Sequence, residues 1–389
     1  METRTEHSVG EIFRRFGQNY EASHALVKEQ RKTLQDIAVC RTAYLGGHNE
    51  ICCKCGSERP VYNSCGNTNC PMCQGIRRRR WLNERLDELL PVSYFHSIFT
   101  LPHELNPIAR FNQREIYNLL FRTAADSLLH LSKKYHNATP AIIATLHTWG
   151  QDLCLHPHVH ILVTSGGMKK DGTWKPGRED YLFDVFEASA EFKKRFLRKL
   201  KSLYKHNKLV NAQDFTEIYK IIEGKSWVVN IQKPFSGAEV VVEYLSRYVY
   251  RSAIANSRIT AVENSFISFD IKDYKDLDEK GIPRHKDIRM KPQEFIRRFM
   301  QHVLPKGFRR SRFYGLFAGA QRTINKEYCQ ILFAELLKEF KASERFKDEA
   351  WQPKVCDCCG NSDFKRGNDI PHERPPPIRF HYRRGRLHA

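Results

Sequence analysis

The stretch "LCLHPHVHILVTSGG", Leu153 to Gly167, narrows the possible folds more than any other part of the chain. Histidines stand at alternate positions, His156, His158 and His160, and an apolar run follows. In a β-strand, successive side chains point to opposite faces. His158, His160 and Leu162 then share one face, while Val159, Ile161 and Val163 share the other and can enter a core. Pro157 fixes the entry into the strand. Two imidazoles one pleat repeat apart can chelate one divalent ion, although a half-exposed strand with surface histidines gives the same pattern. A third donor has two candidates on the preceding strand, "AIIATLHTW", and its turn: His147, which a hairpin would set opposite His158, and Gln151, nearer the turn. Open positions suit magnesium or manganese with a phosphate oxygen, and nitrogen donors also suit zinc.

The cysteines point to a different kind of site. Seven of the twelve lie between Cys40 and Cys73, a clustering expected of metal ligands in a reducing compartment. Cys52 and Cys55 form one Cys-x-x-Cys pair, Cys70 and Cys73 another, and this spacing predicts a tetrahedral structural zinc. Cys40, His48 and Cys65 are left for part of a second site, and Cys53 reads as a bystander. Cys356 and Cys359 make a third pair with no pair after it, only His372 and His381 at loose spacing, so no metal is expected there. Cys154 and Cys329 read as packing residues.

A net charge of +20 predicts a polyanionic partner, most simply nucleic acid. No apolar run reaches the length of a membrane span, and "METRTEHSVGEIFRRFG" lacks a signal-peptide core, so a cytoplasmic protein is expected. Arg77, Arg78, Arg79 and Arg80 follow the second cysteine pair and would meet DNA phosphate at a helix end. Lys272 and the run Lys306 to Arg312 are DNA contacts or a charged surface, and a basic Pro/Arg tail closes the chain. Strands and helices without regular alternation predict an α+β fold with a central antiparallel sheet. Three regions are expected. Residues 1–92 would be helical and zinc-binding, and 93–342 would form the α+β domain, with a charged helical insertion near 168–225. Residues 343–389 would be the tail.

In "GAEVVVEYLSRYVYRSAIAN", Tyr244 and Tyr248 stand four residues apart and share a helix face. Val241, Leu245 and Val249 make the same face an ordinary apolar stripe, so core packing competes with chemistry. As nucleophiles on a phosphodiester, the phenols would need nearby positive charge, which Arg247 and Arg251 offer.

"HPHVHILV", "KPFSGAEVVVEYLSRYVYRSAIANSRI" and "HVLPKGFRRSRFYGLFA" occur in the order seen in bacterial insertion-sequence transposases of the two-tyrosine rolling-circle family. The cysteine-rich "CRTAYLGGHNEICCKCGSERPVYNSCGNTNCPMCQGIRRRRWL" resembles that family's zinc-binding domain. The resemblance spans about residues 10–340. It implies that His158 and His160 hold a divalent cation and that Tyr244 or Tyr248 attacks single-stranded DNA, giving a 5′-phosphotyrosine. It also implies a nucleoid-associated bacterial protein acting on hairpin-bearing element ends, with the tyrosine helix packed beside the histidine strand. Relatives often carry a histidine just before the second knuckle. Here Asn69 stands there, which weakens the expectation of a complete second zinc site. Rival readings are a plasmid replication initiator or relaxase, and a non-catalytic zinc-dependent DNA-binding protein.

Overall fold

The computed structural model describes residues 7–75, 89–235, 252–319, 322–334 and 355–373. The arginine run at 77–80 and the helix expected to carry Tyr244, Arg247, Tyr248 and Arg251 lie outside the described residues. In chain order the elements begin with α1 (Val9–Ser23), α2 (Lys28–Ala38), β1 (Gly47–Cys52), β2 (Glu58–Tyr62) and β3 (Tyr94–Thr100). Next come α3 (Asn106–Phe111), α4 (Gln113–His136), β4 (Ala141–Trp149), β5 (Leu155–Thr164), β6 (Gly167–Met168) and β7 (Trp174–Lys175). They continue with α5 (Val185–Lys205), α6 (Phe215–Gly224), β8 (Val229–Phe235), β9 (Ile259–Val262), β10 (Ile267–Leu277) and β11 (Pro283–Met290). The last are α7 (Pro292–Met300), β12 (Ser311–Gly315), α8 (Arg322–Leu332) and β13 (Phe364–Ile370). No helix among the described residues is long and apolar enough to cross a membrane.

The described residues divide into two compact units. The first joins 7–75 to 252–303 and 355–373, and the second comprises 89–235, 304–319 and 322–334. Chain order alone had put 252–303 with the histidine strand. The packing explains the difference: α7 buries Phe295, Ile296 and Phe299 on one face, and Phe299 meets Phe13 of α1 edge-on at 5.2 Å. Gln30 Nε2 donates to the Met300 carbonyl (3.0 Å), and Arg15 Nη1 to that of Val262 (2.7 Å). Ser8 caps α1 by accepting the Glu11 N–H at 3.1 Å. Two three-stranded sheets complete this unit, β9–β10–β11 and β2–β1–β13. Strand β13 comes from the region expected to be only a tail.

The second unit is the expected α+β arrangement. Its sheet runs β12–β4–β5–β3–β8 with every pair antiparallel, so the histidine strand β5 is central. Helix α4 buries Ile116, Leu120, Ala124, Leu128 and Leu131 against the sheet face that carries Val159, Ile161 and Val163. The charged region near 168–225, expected to be a helical insertion, sends two helices into the core. Its helix α5 buries Phe192, Phe196 and Leu200, and α6 buries Phe215 and Ile222, all in that same core. Helical spacing lets a Lys-rich sequence keep one apolar stripe inward.

The turn from β4 to β5 sets the register. Gly150 N–H donates to the Cys154 carbonyl (3.0 Å), Leu153 N–H to that of Gly150 (3.2 Å), and the Asp152 carboxylate accepts the Cys154 N–H (3.0 Å). Leu153 adopts φ +63°, a left-handed conformation that costs a non-glycine residue about 1–2 kcal/mol. Its side chain is fully buried, which returns about 1.5–3 kcal/mol and offsets the strain.

The placement of α5 is testable. Phe192→Ala should destabilise the protein by about 3–5 kcal/mol in urea unfolding, as for a buried aromatic. Phe186→Ala, on the same helix but 84% exposed, should change stability by no more than about 0.5 kcal/mol. Equal losses would contradict the packing of this helix.

Candidate functional site

Register converts the alternation of the sequence into a cluster. His147 of β4 pairs directly with His158 of β5, and Thr145 with His160. The three imidazoles His147, His158 and His160 therefore share one face, with donor nitrogens within 4.8 Å of one another. Of the two candidates for a third donor, His147 stands in this trio, while Gln151 falls in the turn beyond β4.

Outer hydrogen bonds decide which ring nitrogens are available. Gln232 of β8 pairs in register with His96 of β3, and its Oε1 lies 2.9 Å from His96 Nδ1. An amide oxygen can only accept, so His96 Nδ1 carries the proton and His96 Nε2 is an acceptor. His96 Nε2 then receives the Nδ1–H of His160 at 2.9 Å, which leaves His160 Nε2 with a lone pair. His158 Nδ1–H donates to the His156 carbonyl at 2.7 Å, so His158 Nε2 is an acceptor too. These two acceptor nitrogens face each other at 3.1 Å.

Burial keeps the rings neutral. Loss of solvent pushes His158 and His96 each down to about 4. It holds His160 well below the ordinary imidazole range, with His147 and His158 adding to the effect. Two neutral lone pairs at this separation repel unless a cation lies between them. Two nitrogens bound to one metal at about 2.1 Å and right angles would sit about 3 Å apart, so the donor set fits a cation.

Further along the same row, the Trp149 ring stacks on His147 with centroids 4.8 Å apart, and the Arg310 guanidinium lies 5.6 Å from the Trp149 ring. Arg312, from the same basic run, packs elsewhere, against Phe121 and Phe308, and its Nη2 donates to Asn118 at 2.5 Å. The run thus mixes a cation beside Trp149 with one that braces the core. Sequence reasoning missed His96. Its only signal was a histidine inside a largely apolar strand, "YFHSIFT".

The cysteines group differently from their spacing. Cys52–Cys55 and Cys70–Cys73 do not share a site. One quartet is Cys40, Cys65, Cys70 and Cys73, and the other is Cys52, Cys55, Cys356 and Cys359. In the first, Cys40 and Cys65 sulfurs each lie 3.6 Å from that of Cys73. Four sulfurs about 2.3 Å from one tetrahedral zinc lie about 3.8 Å apart, so this quartet fits structural zinc. The separation is far too long for a disulfide, and all twelve cysteines are free thiols. Asn67 ties this knuckle to α2 through Nδ2 to Asp36 Oδ2 (2.9 Å), and its Oδ1 accepts the Asn69 N–H at 2.9 Å. His48 joins neither quartet. It stands in β1, paired with Val61 and Asp369.

Comparison with known proteins gives these sites a context. The family described as "Putative transposase" matches residues 141–325, and "Transposase zinc-binding domain" matches residues 12–101. A protein of Sinorhizobium fredii named "Putative transposase y4qJ" is 37% identical over 356 residues, covering 87% of this chain and 88% of the relative. The "Transposase for insertion sequence element IS801" of Pseudomonas savastanoi pv. phaseolicola is 26% identical over 307 residues, covering 74% of this chain and 70% of the relative. No solved structure matches. Cysteine knuckles and a histidine-bearing antiparallel sheet thus occur in a chain whose relatives are named transposases, one of them for an insertion sequence, and the chain belongs to the IS91/IS801-type family of transposases.

Proposed function

We propose that this transposase cuts and rejoins single-stranded DNA at its element ends through 5′-phosphotyrosine intermediates, with a divalent cation held by His147, His158 and His160. The observation that carries this reading is the pair of neutral acceptor nitrogens on His158 and His160, facing each other at 3.1 Å. Two such lone pairs repel unless a cation lies between them, and phosphodiester chemistry uses such a cation. When bound, magnesium or manganese would supply Lewis-acid polarisation of the scissile phosphate.

The protein's own groups carry the rest. A phenolic oxygen of Tyr244 or Tyr248 forms a bond to phosphorus and the bond to the 3′-oxygen breaks. The phenol proton passes to solvent, and the leaving oxygen takes one up to become a free 3′-hydroxyl. The phosphotyrosine keeps the bond energy, so attack by a 3′-hydroxyl restores the phosphodiester without ATP. The second tyrosine provides for the second strand end. Arg310, whose guanidinium lies near the Trp149 ring, would neutralise phosphate charge, as would Arg247 and Arg251. Arg77, Arg78, Arg79 and Arg80 would contact the DNA backbone next to the zinc knuckle.

His96 and Gln232 act through His160 as positioning residues, since they fix its tautomer and ring plane.

Two outcomes follow. Incubated with labelled single-stranded element ends and manganese, the protein should give a covalent protein–DNA adduct on denaturing gels. The adduct should persist in Tyr244→Phe or Tyr248→Phe and vanish in the double variant. Tight DNA binding with no adduct under any condition would overturn the reading in favour of a binding protein. For His96→Leu, manganese titrations of nicking should show metal affinity weakened by about 10–100-fold, with the rate at saturating metal largely retained. An unchanged metal dependence would remove His96 from the site.

A further inference from the structure

The second cysteine quartet draws two ligands from each end of the chain. Cys52 and Cys359 sulfurs lie 3.6 Å apart, as do those of Cys55 and Cys356, across 307 and 301 residues of sequence respectively. All four sulfurs fall within 4.8 Å of one another. That spacing matches the tetrahedral edge of a zinc–thiolate centre and again excludes a disulfide.

The two halves also share one local backbone design. The Cys52 sulfur receives the backbone N–H groups of Lys54 and Cys55, and the Cys356 sulfur those of Cys358 and Cys359. Cys55 and Cys359 face the N–H groups of Ser57 and Asn361. In each turn a glycine N–H donates to the carbonyl of the first cysteine, Gly56 to Cys52 (3.0 Å) and Gly360 to Cys356 (2.8 Å). Both glycines adopt positive φ, +73° and +70°. Two such knuckles facing each other present four oriented sulfurs with N–H groups stabilising negative charge on them, a complete ligand set.

Around the quartet the distant segment is docked by pairing. Strand β13 joins β1 in an antiparallel ladder from Gly47↔Ile370 to Cys52↔Phe364. Cys53 N–H donates to the Asp363 carbonyl (3.0 Å). The Arg59 guanidinium holds Glu50 (2.8 Å), donates to the Val355 carbonyl (3.1 Å) and lies 3.8 Å from the Phe364 ring centre. At Gly46, φ +62°, an added Cβ would stand 2.7 Å from the Ile370 carbonyl oxygen, so the two backbones meet where a larger residue would not fit.

We propose that Cys52, Cys55, Cys356 and Cys359 bind a second zinc ion, distinct from the one at Cys40, Cys65, Cys70 and Cys73, which locks residues 355–370 onto the β1–β2 sheet. The inference is independent of the strand-transfer reading, because it concerns neither the histidines nor the tyrosines.

Cobalt titration of the full chain, prepared metal-free under reducing conditions, tests it through the thiolate-to-cobalt charge-transfer band, which the histidine trio cannot produce. The band should saturate at two equivalents in the wild type and at one in Cys356→Ser/Cys359→Ser. Hydrogen exchange on the zinc-loaded proteins serves as the companion readout. The double variant should lose protection in Phe364–Ile370 and keep it in Leu155–Thr164, which also reports that the protein is folded. Saturation at one equivalent in the wild type would overturn the proposal, whether or not the variant folds. So would two equivalents in the variant, or a β13 whose protection is indifferent to zinc.

Discussion

The antiparallel pairing of β4 with β5 is the interaction on which the rest depends. Opposed residues in such a pair bring their Cβ atoms to about 4.5–5.5 Å, close enough for two rings to share a ligand. A slip of one residue would turn His158 and His160 into the apolar core and Val159 and Ile161 out of it, so the core enforces the register as strongly as the hydrogen bonds do. The turn at Gly150 to Cys154 accepts a left-handed leucine because that leucine is buried, and so the register is held at the turn as well as by the core.

The pairing organises the histidines, and the outer strands set their chemistry. Gln232, His96 and His160 form a directed chain of hydrogen bonds across β8, β3 and β5. Its direction originates at an amide oxygen that cannot donate. Each ring in the chain is thereby committed to one tautomer, and burial keeps it neutral. The outcome is a row of lone pairs pointing at one place on a highly cationic protein. Such a donor set fits a cation.

Much of this was legible in the sequence, for identifiable reasons. The apolar run of β4 and the alternation of β5 are local patterns, and they gave the strand pair, the buried face and His147 opposite His158. Zinc ligation was legible in kind and misread in partnership. The fourteen residues between Cys55 and Cys70 suit a single two-knuckle site, yet each knuckle finds its partners elsewhere: Cys40 and Cys65 for one, Cys356 and Cys359 for the other. Ligand spacing has no term for a partner three hundred residues away. The same limit hid the docking of α7 on α1, since an amphipathic helix announces that it has a buried face and says nothing of what covers it. In the region near 168–225, a high lysine content masked the stripe of Phe192, Phe196 and Leu200 that carries the helix into the core.

The fold separates its two kinds of candidate metal donors by unit, with thiolates in one and imidazoles in the other. Pulsed electron paramagnetic resonance of the manganese-loaded protein addresses the imidazole centre most directly. Hyperfine coupling to three imidazole nitrogens is expected, falling to two in His147→Ala and disappearing when His158 and His160 are both replaced. Manganese that shows only water and carboxylate coupling in the wild type would contradict the histidine centre.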